Sequence, residues 1–153
     1  MTSFALQQLS ASLEDYLEAI LNLSADEEVA RAKDIAVALN VARPSVTGAL
    51  KILASKHLIN YKPYGYVTLT PAGMEAARKV ARKHDIIKSF FVEVLGLEDG
   101  VAHDAACKAE HALGWQIVRR LGEFSEYVSL RDNGFDIAEE FRNFRLKGDR
   151  YDG

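Results

Sequence analysis

Residues 31–55 read RAKDIAVALNVARPSVTGALKILAS, and the spacing of their apolar positions decides the fold. Ile35, Ala36 and Leu39 recur at three and four residues, which predicts a short helix from Arg31 to Leu39. Asn40-Val41-Ala42 interrupts that pattern. Arg43-Pro44-Ser45 restarts it, with proline at a first turn that tolerates its missing N–H, and the new helix is expected to reach Ser55. Val46, Leu50 and Leu53 then share one face, suited to a core. Arg43, Ser45, Thr47, Gly48 and Lys51 are left for the opposite face.

Working outward, Ser12-Leu13-Glu14-Asp15 places a carboxylate three residues after a hydroxyl, the pattern of a capping box. Leu13, Tyr16, Leu17, Ile20 and Leu21 continue as an apolar stripe, so a helix is expected from Leu13 to Leu23, followed by the charged loop Asp26-Glu27-Glu28. On the other side, Leu58 to Thr70 changes period: Ile59 and Tyr61, then Tyr66, Val67 and Leu69, flank Pro63-Tyr64-Gly65 and predict a two-stranded hairpin. Helix, helix, turn, helix, hairpin is the order of a winged helix-turn-helix. After Thr70-Pro71-Ala72-Gly73 a long helix is expected to about Leu95, basic at first and apolar later, as a bridge between two domains would be. Gly96 to Gly100 ends it, and a further helix is expected from Val101 to Leu121. Tyr127 to Asn133 reads as a turn, Ile137 to Phe144 as a last short helix, and Lys147 to Gly153 as a frayed tail.

The expected fold is therefore mainly α with a small β-hairpin wing. Residues 1–74 are expected to form the winged helix-turn-helix domain, and residues 75–153 a second, helical domain. Ile86, Phe90, Leu113, Trp115 and Val118 are apolar enough to suggest the dimer interface.

With 48% hydrophobic and 27% charged residues, the composition is that of a soluble globular protein and excludes disordered and fibrous classes. No apolar run approaches the roughly 20 residues that span a bilayer. The start, MTSFALQQLSAS, lacks the basic head and long apolar middle of a secretory signal, so no membrane partner is expected and the cytoplasm is the expected compartment. A single cysteine, Cys107, cannot form an internal disulfide, which fits a reducing compartment. The net charge of −3 hides a segregation: Val29 to Lys88 holds 11 Lys and Arg against 3 Asp and Glu, and the rest of the chain holds 8 against 19. The basic stretch suits a phosphate backbone, and the acidic remainder is either solvated surface or the makings of a cation site.

Small, hydroxylic and basic residues are what entry into a major groove requires, and Ala42, Arg43, Pro44, Ser45, Thr47, Gly48 and Lys51 supply them. Lys33 at the start of the preceding helix, and Lys62 and Tyr64 in the wing, are candidates for backbone contacts. No Gln or Asn sits mid-helix to read base edges, so shape and methyl contacts are expected to carry much of the specificity.

His103, Cys107, Glu110 and His111 fall at i, i+4, i+7 and i+8, one face of a single helix. Burying such groups is costly unless a cation sits against them, because imidazole, thiolate and carboxylate are the side chains that ligate transition metals. Cys107, Glu110 and His111 give three donors from one turn, and further donors must come from elsewhere. Asp15 and Glu18 share a face at i and i+3, and His84 lies midway along the bridging helix. Cys107 with His111 at i+4 resembles a nucleophile and base, but no third orienting group or oxyanion-stabilising loop accompanies them, and an enzyme is not expected. The alternative to metal sensing is a winged-helix regulator that responds to a small organic ligand or to oxidation of Cys107.

Residues 12–18 (SLEDYLE), Asp34-Ile35-Ala36 through Arg43-Pro44-Ser45-Val46-Thr47, residues 69–73 (LTPAG), Arg82-Lys83-His84 and residues 104–111 (DAACKAEH) together make the sequence resemble the diphtheria toxin repressor and manganese transport regulator family over nearly its whole length. The resemblance implies a repressor that binds palindromic double-stranded operator DNA as a homodimer and takes Fe(II) or Mn(II) as its cofactor. It implies that Asp15 and Glu18 stand at manganese-type ligand positions. Cys107 stands where iron-responsive members carry cysteine, and Glu110 and His111 at ligand positions common to both. His84 and His103 match two ligands of an ancillary site, but Lys88 occupies the position of that site's glutamate and opposes a second metal there. The SH3-like third domain of longer members has no counterpart. A hard aspartate favours Mn(II) and a softer thiolate favours Fe(II), with the balance leaning to iron.

Overall fold

A computed structural model describes residues 9–25, 29–131 and 136–148; the expected loop Asp26-Glu27-Glu28, residues 132–135 and the tail from 149 lie outside the described residues. The chain divides into two compact units, one running to Ala81 and the other starting at Arg82.

In the first unit, helix α1 spans Ala11–Ser24. Its cap is Ser10, in extended conformation, whose Oγ accepts the Leu13 N–H at 3.2 Å. The expected capping box on Ser12 does not form, because starting at Ser10 gains a further helical hydrogen bond, Glu14 N–H to the Ser10 carbonyl at 3.0 Å. Asp15 consequently lies two residues past the third helical position, where a box would need its carboxylate. Helix α2 spans Ala32–Leu39 and α3 spans Arg43–Ser55. Between them Asn40 adopts the left-handed conformation, with φ of 51°, and the Val41 N–H reaches back to the Ala36 carbonyl at 3.0 Å. That closure ends α2 and frees the chain to start α3 at once, with Pro44 in its first turn.

Strands β1 (Ile59–Tyr61) and β2 (Val67–Leu69) pair antiparallel, Ile59 opposite Leu69 and Tyr61 opposite Val67. The Val67 N–H also donates to the Ala30 carbonyl at 2.8 Å, tying the wing to the segment before α2. Thr70 links the wing to helix α4, Pro71–Ser89: its hydroxyl donates to the His57 carbonyl at 2.7 Å and accepts the Gly73 N–H at 3.1 Å. A Cβ on Gly73 would fall 1.8 Å from the Leu58 carbonyl oxygen, so only glycine allows this close approach of backbones. Leu17, Ile20, Ile35, Val46, Leu50, Leu53 and Val67 are fully buried together, and Ala76 and Ala77 of α4 close the same core. The apolar positions read from residues 31–55 are thus the ones that face inward.

The second unit begins with the last turns of α4, which pass into a π-helical turn, Phe90–Val94, instead of continuing as α-helix to Leu95. Gly96, at φ of 70°, turns the chain out, and the Leu97 N–H closes on the Phe91 carbonyl at 2.9 Å. The single helix expected from Val101 to Leu121 is two: α5, Asp99–Ala112, and α6, Trp115–Leu130. The break at Leu113-Gly114 is extended backbone, and Lys83 of α4 holds it, donating to the Leu113 carbonyl at 3.0 Å with its Nζ 5.5 Å from the centre of the Trp115 ring. Helix α6 also runs through the stretch read as a turn, as far as Leu130, before α7, Ile137–Leu146. The core here is small: Ile87, Ala106 and Val118, with Ile86, Phe91, Ala109, Leu113, Trp115 and Leu121 packed around them. Ile86, Leu113, Trp115 and Val118, read as interface residues, are therefore part of the unit's own core. The exposed apolar side chains of α6 are Ile117, Phe124, Tyr127 and Leu130.

Candidate metal centre and nucleic-acid interface

Helix α4 places His84, and helix α5 places His103, Cys107, Glu110 and His111, all within the second unit. Glu110 is only 2% exposed and His84 only 7%. A carboxylate so deeply buried is stable only with partners, and Glu110 has them on both oxygens. Its Oε2 lies 2.8 Å from His84 Nδ1, and its Oε1 lies 3.3 Å from His111 Nε2. Cys107 Sγ stands 3.8 Å from His84 Nδ1 and 3.7 Å from His103 Nε2, and the two imidazole rings meet edge to face with centroids 4.9 Å apart. One turn further along the same pair of helices, Lys88 Nζ pairs with Asp99 Oδ1 at 3.1 Å. Lys88 thus neutralises Asp99 beside the cluster and adds no donor to it.

The set comprises three imidazoles, one thiol and one carboxylate, borderline to soft donors with a single hard one, which fits a divalent transition metal better than Mg²⁺ or Ca²⁺. His84, His103 and Cys107 bring one donor atom each to within 4.8 Å of one another. His84 Nδ1 is the nitrogen nearest both Glu110 Oε2 and Cys107 Sγ, and its contact with Glu110 is of the kind by which a carboxylate orients a histidine. Asp15 and Glu18 lie half-buried on α1 in the first unit, one helical turn apart. The sequence pattern missed the Glu110 contacts with His84, since these residues stand 26 positions apart and only packing of α5 on α4 joins them.

The DNA candidates all lie on the first unit, and all are exposed except Thr47, which is half-buried. Lys33, Arg43, Thr47, Lys51 and Tyr64 line one concave surface between the start of α2, the outer face of α3 and the wing. Tyr64 stands at the wing tip, with φ of 62°, fully exposed. Lys62 lies beside it in the turn, and Ala42, Pro44, Ser45 and Gly48 occupy the exposed first turns of α3 outside the concavity. A Cβ added to Gly48 would meet nothing in this chain. The concavity also holds Arg31, which the sequence reading had used only as a helix start. Its guanidinium stacks 5.0 Å above the Tyr66 ring and donates to the Tyr66 hydroxyl at 3.3 Å. Its position two residues before Lys33, at the head of the basic stretch, was the available signal.

Residues 8–67 match the N-terminal DNA-binding domain of the iron-dependent repressors, and residues 70–138 match their metal-binding and dimerisation domain. The chain is an iron-dependent repressor family member. An uncharacterised HTH-type transcriptional regulator of Methanocaldococcus jannaschii is 42% identical over 119 residues, 77% of this chain and 95% of that protein. The HTH-type transcriptional regulator MntR of Geobacillus thermodenitrificans is 32% identical over 139 residues, covering 90% and 97%. Among solved structures, a manganese-dependent transcriptional repressor in complex with manganese superposes with a TM-score of 0.70 at 27% identity, and IdeR of T. acidophilum with 0.66 at 30%. These similarities cover 75% and 72% of this chain, which spans about half the length of those two structures, 53% and 52%. The repressor-family match favours metal dependence, and a metal-free ligand or oxidation sensor is not favoured. Among the described residues, no helix is long and apolar enough to cross a membrane.

Proposed function

We propose that this chain is a cytoplasmic, metal-dependent transcriptional repressor that binds palindromic operator DNA as a homodimer, with Fe(II) or Mn(II) as the activating ion, and so controls metal-ion homeostasis. In that division of labour residues 1–74 read DNA, and residues 75–153 bind metal and dimerise. The observation that carries it is the burial of Glu110 between two imidazoles, beside a thiol, in a chain whose other unit carries an exposed basic concavity.

Glu110 and His111 would hold the regulatory ion, with His84, His103 and Cys107 supplying the remaining donors of the helical unit, and Asp15 and Glu18 stay candidate carboxylate ligands on α1. The ion, when bound, contributes the positive charge that offsets these carboxylates. In the metal-bound repressor the reading helices of a dimer would be presented near the one-turn spacing of about 34 Å that successive major grooves require. Arg31, Lys33, Arg43, Lys51 and Lys62 grip phosphates, while Ala42, Pro44, Ser45, Thr47 and Gly48 approach base edges and Tyr64 follows the adjacent backbone.

The test is operator binding measured with and without Fe(II) or Mn(II), under anaerobic conditions for iron. Metal should tighten binding by the usual range of allosteric coupling, about 5- to 150-fold. Asp15→Ala and Glu110→Ala should each remove that stimulation while leaving the helical circular dichroism unchanged. Equal stimulation in both variants and the parent overturns the proposal.

A further inference from the structure

Arg31 enters the basic concavity with an aromatic ring of the wing against its guanidinium. The guanidinium carbon lies 5.0 Å from the centre of the Tyr66 ring, inside the reach of about 6 Å over which a cation is attracted to an aromatic face. Arg31, Lys33, Arg43 and Lys51 line the concavity, and Tyr66 is not among the residues that line it. We propose that Tyr66 is a positioning residue for DNA binding, holding the Arg31 guanidinium ready for a backbone phosphate, so that the wing acts on DNA through Arg31. The proposal rests on the reading of the first unit as the DNA-binding one.

The main chain fixes this pair. The Val67 N–H donates to the Ala30 carbonyl at 2.8 Å, so the sequence neighbours of Tyr66 and Arg31 are bonded to each other, and both are fully buried. The ring therefore has a set place beside the start of α2. Arg31 also donates to the Tyr66 hydroxyl at 3.3 Å, which is long for an N–H to oxygen bond, so the stacked ring carries more of the hold than the hydroxyl does.

The charge is left for a ligand. Among the described residues Arg31 forms no ion pair, and no Asp or Glu lines the concavity. A guanidinium stacked by its face keeps its in-plane N–H groups available, and that planar fork matches the oxygens of a phosphate. An unrestrained arginine would lose its rotamer freedom on gripping a phosphate; one already held against a ring loses less.

Binding of the full chain to a mixed-sequence linear DNA duplex is measured by fluorescence anisotropy over a series of salt concentrations, with Mn(II) present. Arg31→Ala is expected to weaken binding and to lower the slope of log affinity against log salt by about 1. Tyr66→Leu removes the ring and leaves the charge, and is expected to weaken binding about 2- to 12-fold, the range for ordering one long side chain. In the Arg31→Ala background the same substitution should leave affinity unchanged, because the group it positions is gone. Tyr66→Phe keeps the ring and should bind as the parent does. Thr68→Ala, which deletes the hydrogen bond that Asn60 donates across the same hairpin at 3.3 Å, should also bind as the parent does. Parental affinity in Tyr66→Leu overturns the proposal. So does a Tyr66→Leu loss of equal size with and without Arg31, or a matching loss in Thr68→Ala, since either would make Tyr66 a brace of the wing alone. Those results leave the DNA-binding reading standing, whereas a parent that binds no duplex even at the lowest salt overturns that reading and the positioning role with it.

Discussion

The two units of this chain are held together by different physics. The first is organised around a continuous apolar core to which all its helices and both strands contribute, with Leu17, Ile20, Ile35, Leu50 and Leu53 fully buried. In the second, among the described residues, the apolar cluster buries Ile87, Ala106 and Val118, Val94 and Ala102 are buried apart from it, and the neighbouring interior is given to His84 and Glu110. An apolar core is stable by itself, because burial of each large side chain contributes about 1.5–3 kcal/mol whatever the solution contains. A polar interior made of candidate metal donors is stabilised further by an ion that binds it. Under the proposed metal-dependent function, this asymmetry would keep the reading head folded with or without metal while the helical unit responds to the ion.

The comparison breaks most sharply if the first core is emptied. Leu50→Ala should cost about 2–5 kcal/mol, read as a loss of denaturant midpoint, and metal should not restore the packing. A variant that melts like the parent would mean that the first unit does not rest on this core. The next effect sharpens the contrast from the other side. A divalent ion at about 100 times its Kd should stabilise the folded helical unit by about 2.7 kcal/mol, measured as slowed amide exchange along α5 and α6 relative to chelator. Equal slowing along α3, or none in α5, would remove the claimed difference. The smallest effect concerns function without stability. Lys51→Ala, at an exposed position, should leave stability within about 0.5 kcal/mol and lower the slope of log affinity for operator against log salt by about 1. An unchanged slope would take Lys51 off the phosphate-facing surface.

Much of the first unit was legible because its signals are local. Apolar spacing in residues 31–55, the proline of Arg43-Pro44 and the change of period at Leu58 act over a few residues, and they specify α2, α3 and the wing within a residue. The misreadings have equally specific causes. Two serines near the start of α1 offer the same hydroxyl, and the further helical hydrogen bond from the Glu14 N–H favours Ser10 over Ser12. The break at Leu113-Gly114 has one weak local signal, a glycine, and is stabilised from afar by Lys83. Arg31 joins the basic concavity because Tyr66 of the wing holds it, 35 positions away.

The sequence by itself determined the order of the winged helix-turn-helix, the basic stretch and the inventory of candidate metal donors, since each follows from residue type and short-range spacing. Tertiary structure alone decided how the donors of the helical unit are shared. His84 is distant from Cys107 and Glu110 along the chain, and only the packing of α5 against α4 could set one carboxylate between the imidazoles of His84 and His111 and turn the thiol toward His84 and His103.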